Sequence, residues 1–260
     1  MNSRIMESVM TFAQEDQRIK SVILRGSRTN PNADVDADSD YDVLYGVSEL
    51  ESFLKNDQWI EPFGDILILQ KPDFMDRKGI NSNIDQEAYL MQFKDGTRLD
   101  LIITRDELVQ EVIKKDSLSK ILLDKDNTLE GDEVSDVSYL IKDFNLENCV
   151  NEFLWLSFYV TKGMRRKQLM YTQNHLAMMR EELFKFISYQ NGGNPGAHFK
   201  YVEKQINAYE LSLIKETFSN NIENALKILF EVFETHLSKE DFDKSQFEAV
   251  RYVIESQLIN

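Results

Sequence analysis

Hydrophobic residues in the first half of the chain switch between a helical spacing and the alternating spacing of β-strands. A helical stripe over 3–14 is followed by a short apolar strand over 19–24 and, after a polar loop, by a second strand over 41–47. Ser48, placed before two early acidic residues, predicts an N-cap and a short helix that reaches about Lys55. This alternation predicts a sheet covered by helices.

The strand pattern continues to about residue 104. A third strand is predicted over 66–70. The runs 88–93 and 98–104 flank an Asp95-Gly96 pair, which is a strong hairpin signal between β-rich segments. A helix is predicted over 107–114, where helical spacing returns.

Strand signals are absent after about residue 140, and helical spacing dominates the rest of the chain. The predicted helices cover 150–164, 169–187, 208–218, 222–237 and 245–258. The first of these is apolar over most of its surface, which indicates a buried central helix. We expect Trp155 in the core of this bundle and His236 at its surface.

These patterns together predict an α+β protein of two domains. The first, over 1–135, is a mixed β-sheet with flanking helices, and the second, over 136–260, is an α-helical bundle.

Composition narrows the class of partner. The formal net charge of −15 disfavours nucleic acid and anionic membranes, because both are bound largely by lysine and arginine, and it favours a cationic small molecule. No apolar run approaches the roughly 20 residues that a membrane-spanning helix needs. Cys149 is the single cysteine, so no intrachain disulfide can form, which fits a cytoplasmic protein. The oligomeric state is left open, with a monomer as the working expectation.

The candidate chemistry lies around the first two strands. Gly26 and Ser27 form a turn at the end of the first strand, and such a turn can aim backbone N–H groups at a phosphate. Asp40 and Asp42 flank the start of the second strand and, two residues apart, point to the same face of the sheet. Two carboxylates on one face repel each other unless a cation lies between them, and Mg²⁺ prefers such oxygen ligands together with phosphate.

A third carboxylate, Asp100, interrupts an apolar strand. A charged group inside a strand is costly unless it is paired or binds a metal. A salt bridge with Arg98 or Arg105 is the structural alternative. The active-site interpretation is favoured because the chain also contains the pair Asp40 and Asp42. An EF-hand calcium loop starting at the aspartate-rich segment is excluded, because its required glycine and glutamate positions hold Ser39 and Tyr45.

The Gly-Ser turn, the Asp-x-Asp pair and the later strand aspartate resemble the pattern of the polymerase-β-type nucleotidyltransferases. The chain is similar in more detail to the streptomycin-modifying aminoglycoside 6-adenylyltransferases. The similar segments run through most of the chain and include residues 24–28, 40–42, 63–72, 89–101, 151–163, His175 and 199–201.

The resemblance implies an enzyme that transfers AMP from MgATP to a hydroxyl of an aminoglycoside, most simply streptomycin, and releases pyrophosphate. It implies a nucleotidyltransferase domain over 1–135 and a helical substrate- or nucleotide-binding domain over 136–260. The implied metal ligands and catalytic residues are Asp40, Asp42 and Asp100, with Asp100 either a ligand or the acceptor of the hydroxyl proton. The implied nucleotide contacts are Gly26, Ser27, Arg28 and Lys200.

Two other interpretations are kept. The same fold could act on another small-molecule or protein hydroxyl, which acceptor screening would reveal. A catalytically inert module that binds a nucleotide or a partner is the alternative from another class, and the presence of all three carboxylates argues against it. For Arg28, a surface salt bridge to the aspartate-rich loop stands beside the phosphate contact, and for Lys200 an ordinary place on a helix face stands beside the same role.

Overall fold

A computed structural model of the full chain shows an α+β protein, which confirms the predicted fold class. The structure describes residues 3–31, 33–72, 85–131, 134–135, 144–192, 202–237 and 244–258. The chain divides into two compact units, Met1–Ser138 and Tyr139–Asn260. Within the described ranges, no helix is long and apolar enough to cross a membrane.

The strands of the first unit, over its described residues, are β1 (Ile19–Arg25), β2 (Tyr41–Val47), β3 (Ile66–Gln70), β4 (Gln86–Phe93), β5 (Arg98–Arg105) and β6 (Ser119–Asp124). They form one mixed sheet with the strand order β3-β4-β5-β2-β1-β6. The central pair, β2 and β5, runs parallel, and every other neighbouring pair is antiparallel. The helices are α1 (Ser3–Glu15), α2 (Leu50–Leu54) and α3 (Asp106–Lys115), with short 3-10 helices at Gly26–Arg28 and Gln58–Phe63.

The two faces of the sheet carry different side chains. Leu99, Leu101 and Ile103 of β5 are fully buried in the core that α1 and α2 cover, as the alternation of the strand predicts. The opposite face packs on α3 through Leu44 and Ile102, in a smaller core. The carboxylates of β2 and β5 lie on this second face, nearer the start of the two strands.

The second unit is entirely helical over its described residues. The helices are α4 (Leu146–Arg165), α5 (Leu169–Gln190), α6 (Val202–Gln205), α7 (Ala208–Glu216), α8 (Ile222–Leu237) and α9 (Ser245–Leu258). Helix α4 is capped by Asn145, whose side chain accepts a hydrogen bond of 2.9 Å from the backbone N–H of Asn148.

The bundle is organised around a cluster of aromatic rings. Phe153 of α4 is fully buried, and its ring centroid lies 4.0 Å from that of Phe233 and 5.4 Å from that of Phe230. Close stacked and edge-to-face contacts of this kind add to the free energy gained by burying the rings. One face of α4 thus lies in the core of the bundle, whereas Trp155 and Phe158 leave its other face exposed, so the helix is only partly buried.

Removing the ring of Phe153 is expected to destabilise the protein strongly. Phe153→Ala leaves a cavity that the surrounding rings fill only partly, so we expect the free energy of unfolding to fall by about 3–5 kcal/mol. Urea denaturation of the two proteins measures this difference. Phe158→Ala is the matched control, because Phe158 is on the same helix and is 37% exposed. An equal loss in both variants would contradict the central role of Phe153.

Four of the differences between the structure and the sequence predictions concern one strand, one helix cap and two side chains. Strand β6 was not predicted, and it pairs with β1 at the edge of the sheet. Ser48 does not cap α2, because its N–H and hydroxyl both bond to the carbonyl of Arg18. Trp155 is 58% exposed rather than in the core, since its position on α4 faces away from the aromatic cluster.

His236, expected at the surface, is the fourth difference. It lies on the apolar face of α8 and is only 3% exposed. Its Nδ1 is 2.6 Å from Oε1 of Gln190, and its Nε2 is 3.4 Å from Oε2 of Glu210. A buried imidazole with polar neighbours on two other helices is a structural element of the bundle.

Candidate active site

Three carboxylates converge where β2 and β5 begin. Oxygen atoms of Asp40, Asp42 and Asp100 all lie within 4.8 Å of one another. Asp42 and Asp100 are direct neighbours in the parallel register of the two strands, and Asp40 precedes Asp42 by two residues on the same face. All three are partly buried. Sequence alternation predicted the common direction of Asp40 and Asp42, and the parallel pairing of β2 with β5 brings Asp100 beside them.

Gly26 is fitted against one of these carboxylates. Its φ is +68°, and a Cβ atom added there would lie 2.4 Å from Oδ2 of Asp42, so only glycine allows both the backbone conformation and the close approach. The N–H of Gly26 donates to the carbonyl of Leu118 at 3.2 Å and is not directed at a ligand. The partly exposed Ser27 follows in the same 3-10 turn. The turn thus places Ser27 one residue after the glycine that lies against Asp42.

Arg28 fixes the chain at its entry into β2. Its guanidinium donates to the carbonyls of Asp40 at 2.9 Å and of Ser39 at 2.6 Å, and it lies 3.7 Å from the ring centroid of Tyr41. These contacts hold the backbone of Asp40 in place. A direct contact of Arg28 with phosphate stays a prediction.

Arg98 is the counter-charge of the cluster. Its guanidinium donates to both oxygens of Asp100, at 2.8 and 2.6 Å, and its Nε lies 3.9 Å from Oδ2 of Asp40. Hydrogen bonding to Asp100 raises the pKa of Arg98, against the opposing effect of burial and with the aid of the nearby negative charges. The salt bridge weighed as an alternative for Asp100 is therefore present, within the cluster. Arg105, at the other end of β5, contacts Glu51 instead.

The donor set fits a divalent cation. Carboxylate oxygens are hard ligands, and Mg²⁺ is usually held by one or two carboxylates together with phosphate oxygens and water. Three such groups within 4.8 Å carry more negative charge than a single guanidinium neutralises. Asp36 and Asp38, by contrast, are exposed loop residues, and an oxygen of Asp36 accepts the N–H of Asp38 within a local turn.

Lys200, the remaining predicted nucleotide contact, lies outside the described residues. Arg98 entered the sequence prediction only as a salt-bridge partner of Asp100. Its position two residues before Asp100 on one strand is the signal that places both side chains on a common face. The structure thus adds Arg98 to the cluster.

Comparison with known proteins gives one family. The model of the streptomycin adenylyltransferase family matches residues 1–249. An aminoglycoside 6-adenylyltransferase of Campylobacter jejuni is 36% identical over 75% of this chain and 69% of its own length. Enzymes of the same name from Staphylococcus aureus and Bacillus subtilis are 32% and 33% identical over 90% and 87% of this chain, and over 89% and 84% of their own lengths. The chain belongs to the streptomycin adenylyltransferase family, whose members are nucleotidyltransferases.

Proposed function

We propose that this protein transfers the adenylyl group of ATP to a hydroxyl of an aminoglycoside, namely streptomycin, and releases pyrophosphate. In this proposal Asp40, Asp42 and Asp100 hold Mg²⁺. The observation that carries it is the convergence of these three carboxylates within 4.8 Å beside a glycine turn. Family membership supports the reaction class and the aminoglycoside acceptor.

The residues of the chain have separate tasks in this reaction. A hydroxyl of the acceptor attacks the α-phosphorus and loses its proton to water, and the bond between the α-phosphorus and the oxygen that bridges it to the β-phosphorus breaks as pyrophosphate leaves. Mg²⁺ bound at the cluster would supply charge neutralisation on the phosphate oxygens. Asp42, held against Gly26, fixes the position of the cluster relative to the turn, and Ser27 offers a hydroxyl to a phosphate oxygen. We assign Asp100 to the ligand set because its oxygen lies within the same 4.8 Å group.

The acceptor is inferred from charge as well as from the family. Streptomycin is a polycation, and the chain carries a net charge of −15, which favours approach of a cationic substrate. A cytoplasmic place of action belongs to the same proposal, because ATP is available there. The buried free thiol of Cys149 is compatible with it.

Pyrophosphate release from ATP and Mg²⁺, with and without streptomycin, tests the proposal. We expect release that depends on both Mg²⁺ and streptomycin, because attack by the acceptor hydroxyl is the step that frees pyrophosphate. Kanamycin-class and other aminoglycosides serve as comparison acceptors in the same assay. Release with one of these and none with streptomycin would overturn the choice of acceptor and keep the reaction class. No release with any acceptor would contradict the reaction itself.

A further inference from the structure

The contact between Arg98 and Asp100 is unusual for a structural ion pair. The two residues lie on one strand, two positions apart, so the pair joins no separate elements. Strand β5 is already hydrogen-bonded on both sides, to β2 and to β4. The fold of the sheet therefore does not depend on this pair, and its effect is on the carboxylate cluster.

The charges of the cluster account for an arginine at this place. Asp40, Asp42 and Asp100 bring three negative charges together, and the guanidinium of Arg98 supplies one positive charge, which leaves the net charge that a divalent cation would neutralise. Without any cation, the three carboxylates repel one another. Arg98 partly relieves this repulsion in the free protein.

The geometry of the pair makes it a competitor for the metal. The two nitrogens of Arg98 take one lone pair from each oxygen of Asp100, at 2.8 and 2.6 Å. A cation bound at the cluster needs oxygens of the same carboxylate. The side chain of Arg98 is 47% exposed, so it has room to leave.

A guanidinium released from a carboxylate has an equivalent partner in a phosphate group. Its planar arrangement of N–H donors binds two oxygens of either group in the same two-pronged manner. The triphosphate of ATP would bring such oxygens to the cluster. Arg98 can therefore leave Asp100 for the nucleotide and keep two-pronged hydrogen bonding to two oxygens.

We propose that Arg98 is an exchangeable counter-charge: it pairs with Asp100 in the free enzyme and moves to the triphosphate when the metal–nucleotide complex binds. This inference rests on the proposed function, since it requires that the cluster receive a metal nucleotide. It assigns Arg98 a positioning role in the free protein and a nucleotide-binding role in the complex.

The test compares wild type and Arg98→Gln in two measurements: binding of Mn²⁺ without ATP, through the electron paramagnetic resonance signal of free Mn²⁺, and binding of the preformed Mn²⁺–ATP complex, by isothermal titration calorimetry. Without ATP, we expect the variant to bind Mn²⁺ about fivefold more tightly, since a competing cation is gone. With ATP, we expect affinity for the metal–nucleotide complex to fall about tenfold, since charge-assisted hydrogen bonds are lost. Arg98→Lys keeps the charge without the two-pronged geometry, so its effects should be smaller in both conditions.

The matched control is Arg105→Gln, which removes the same charge from the opposite end of β5. It should change neither affinity, because Arg105 contacts Glu51 and Asp85 rather than the cluster. Thermal unfolding shows whether each variant is folded. A damaged site would weaken both affinities together, so opposite changes in the two conditions are the signature of exchange.

Two groups of results would overturn the inference, and they differ in meaning. If wild type binds Mn²⁺ and ATP but Arg98→Gln binds Mn²⁺ no more tightly, or binds the complex as well as wild type, then Arg98 does not exchange partners. If wild type binds no Mn²⁺ even with ATP, or Asp42→Asn binds it as wild type does, the proposed function itself fails and the exchange fails with it.

Discussion

Asp42→Asn is expected to abolish measurable adenylyl transfer while leaving the protein folded. Asp42 of β2 lies beside Asp100 of β5, and its carboxylate also lies against Gly26. It therefore connects the proposed metal site to the turn. Asparagine keeps the size of the side chain and removes the charge that would hold a cation. We expect kcat/KM to fall by at least about a thousandfold, as for loss of a principal electrostatic contact at a reacting phosphate.

The stability of this variant should not fall, because the substitution removes repulsion among three clustered carboxylates. Equilibrium unfolding in urea measures that directly. Asp38→Asn is the matched control: Asp38 is an exposed loop residue outside the cluster, and its variant should keep wild-type turnover. Turnover near the wild-type rate in Asp42→Asn would remove the metal-site proposal.

Gly26→Ala should cause the second largest loss of adenylyl-transfer activity. An alanine Cβ would lie 2.4 Å from Oδ2 and 3.1 Å from the carboxyl carbon of Asp42, so the carboxylate or the turn must move. The φ of +68° adds a backbone cost of about 1–2 kcal/mol. We expect kcat/KM to fall about a hundredfold, since displacing a catalytic group by about 1 Å has an effect of that size.

Gly192→Ala separates the effect of the backbone conformation from the effect of the close contact with Asp42. Gly192 also has a positive φ, +72°, but a Cβ there would meet nothing within 4 Å, and the residue belongs to the helical unit. This control should lose stability through backbone strain and keep wild-type kcat/KM. If Gly26→Ala loses only as much stability as Gly192→Ala and remains fully active, the close packing of Gly26 on Asp42 has no role in catalysis.

Local spacing in the sequence was enough to predict most elements of the fold. The apolar run over 98–104 predicted strand β5, and its alternation agrees with the structure, in which Leu99 and Leu101 are fully buried and Asp100 lies on the opposite face. The hairpin at Asp95-Gly96 followed from turn chemistry, because Gly96 adopts the positive φ of +88° that favours glycine. Signals of this kind depend only on neighbours along the chain, so they can be interpreted without knowledge of the tertiary structure.

The predictions that were wrong concern features that depend on residues distant in the sequence. The short β6 is a strand because β1, about a hundred residues earlier, pairs with it, and nothing in its own sequence fixes that partner. His236 is buried because Gln190 and Glu210, on two other helices, supply polar contacts. Trp155 is exposed because the orientation of α4 is set by packing of the whole bundle.

The site shows the same division. The common direction of Asp40 and Asp42 came from strand periodicity, whereas their approach to Asp100 depends on the parallel register of β2 and β5. The fit of Gly26 against Asp42 depends on an atomic distance that no motif expresses. The contacts of Arg28 also could not be predicted from sequence, since its guanidinium donates to backbone carbonyls at the start of β2 rather than to acidic side chains.

The most direct test of adenylyl transfer is the mass of the product formed from ATP carrying a labelled α-phosphate, with Mg²⁺ and streptomycin, by wild type and Asp42→Asn. The account predicts streptomycin heavier by one adenylyl group, with the label in it, from wild type alone. Label recovered only as ADP or AMP with streptomycin unchanged, or equal product from both proteins, would contradict it.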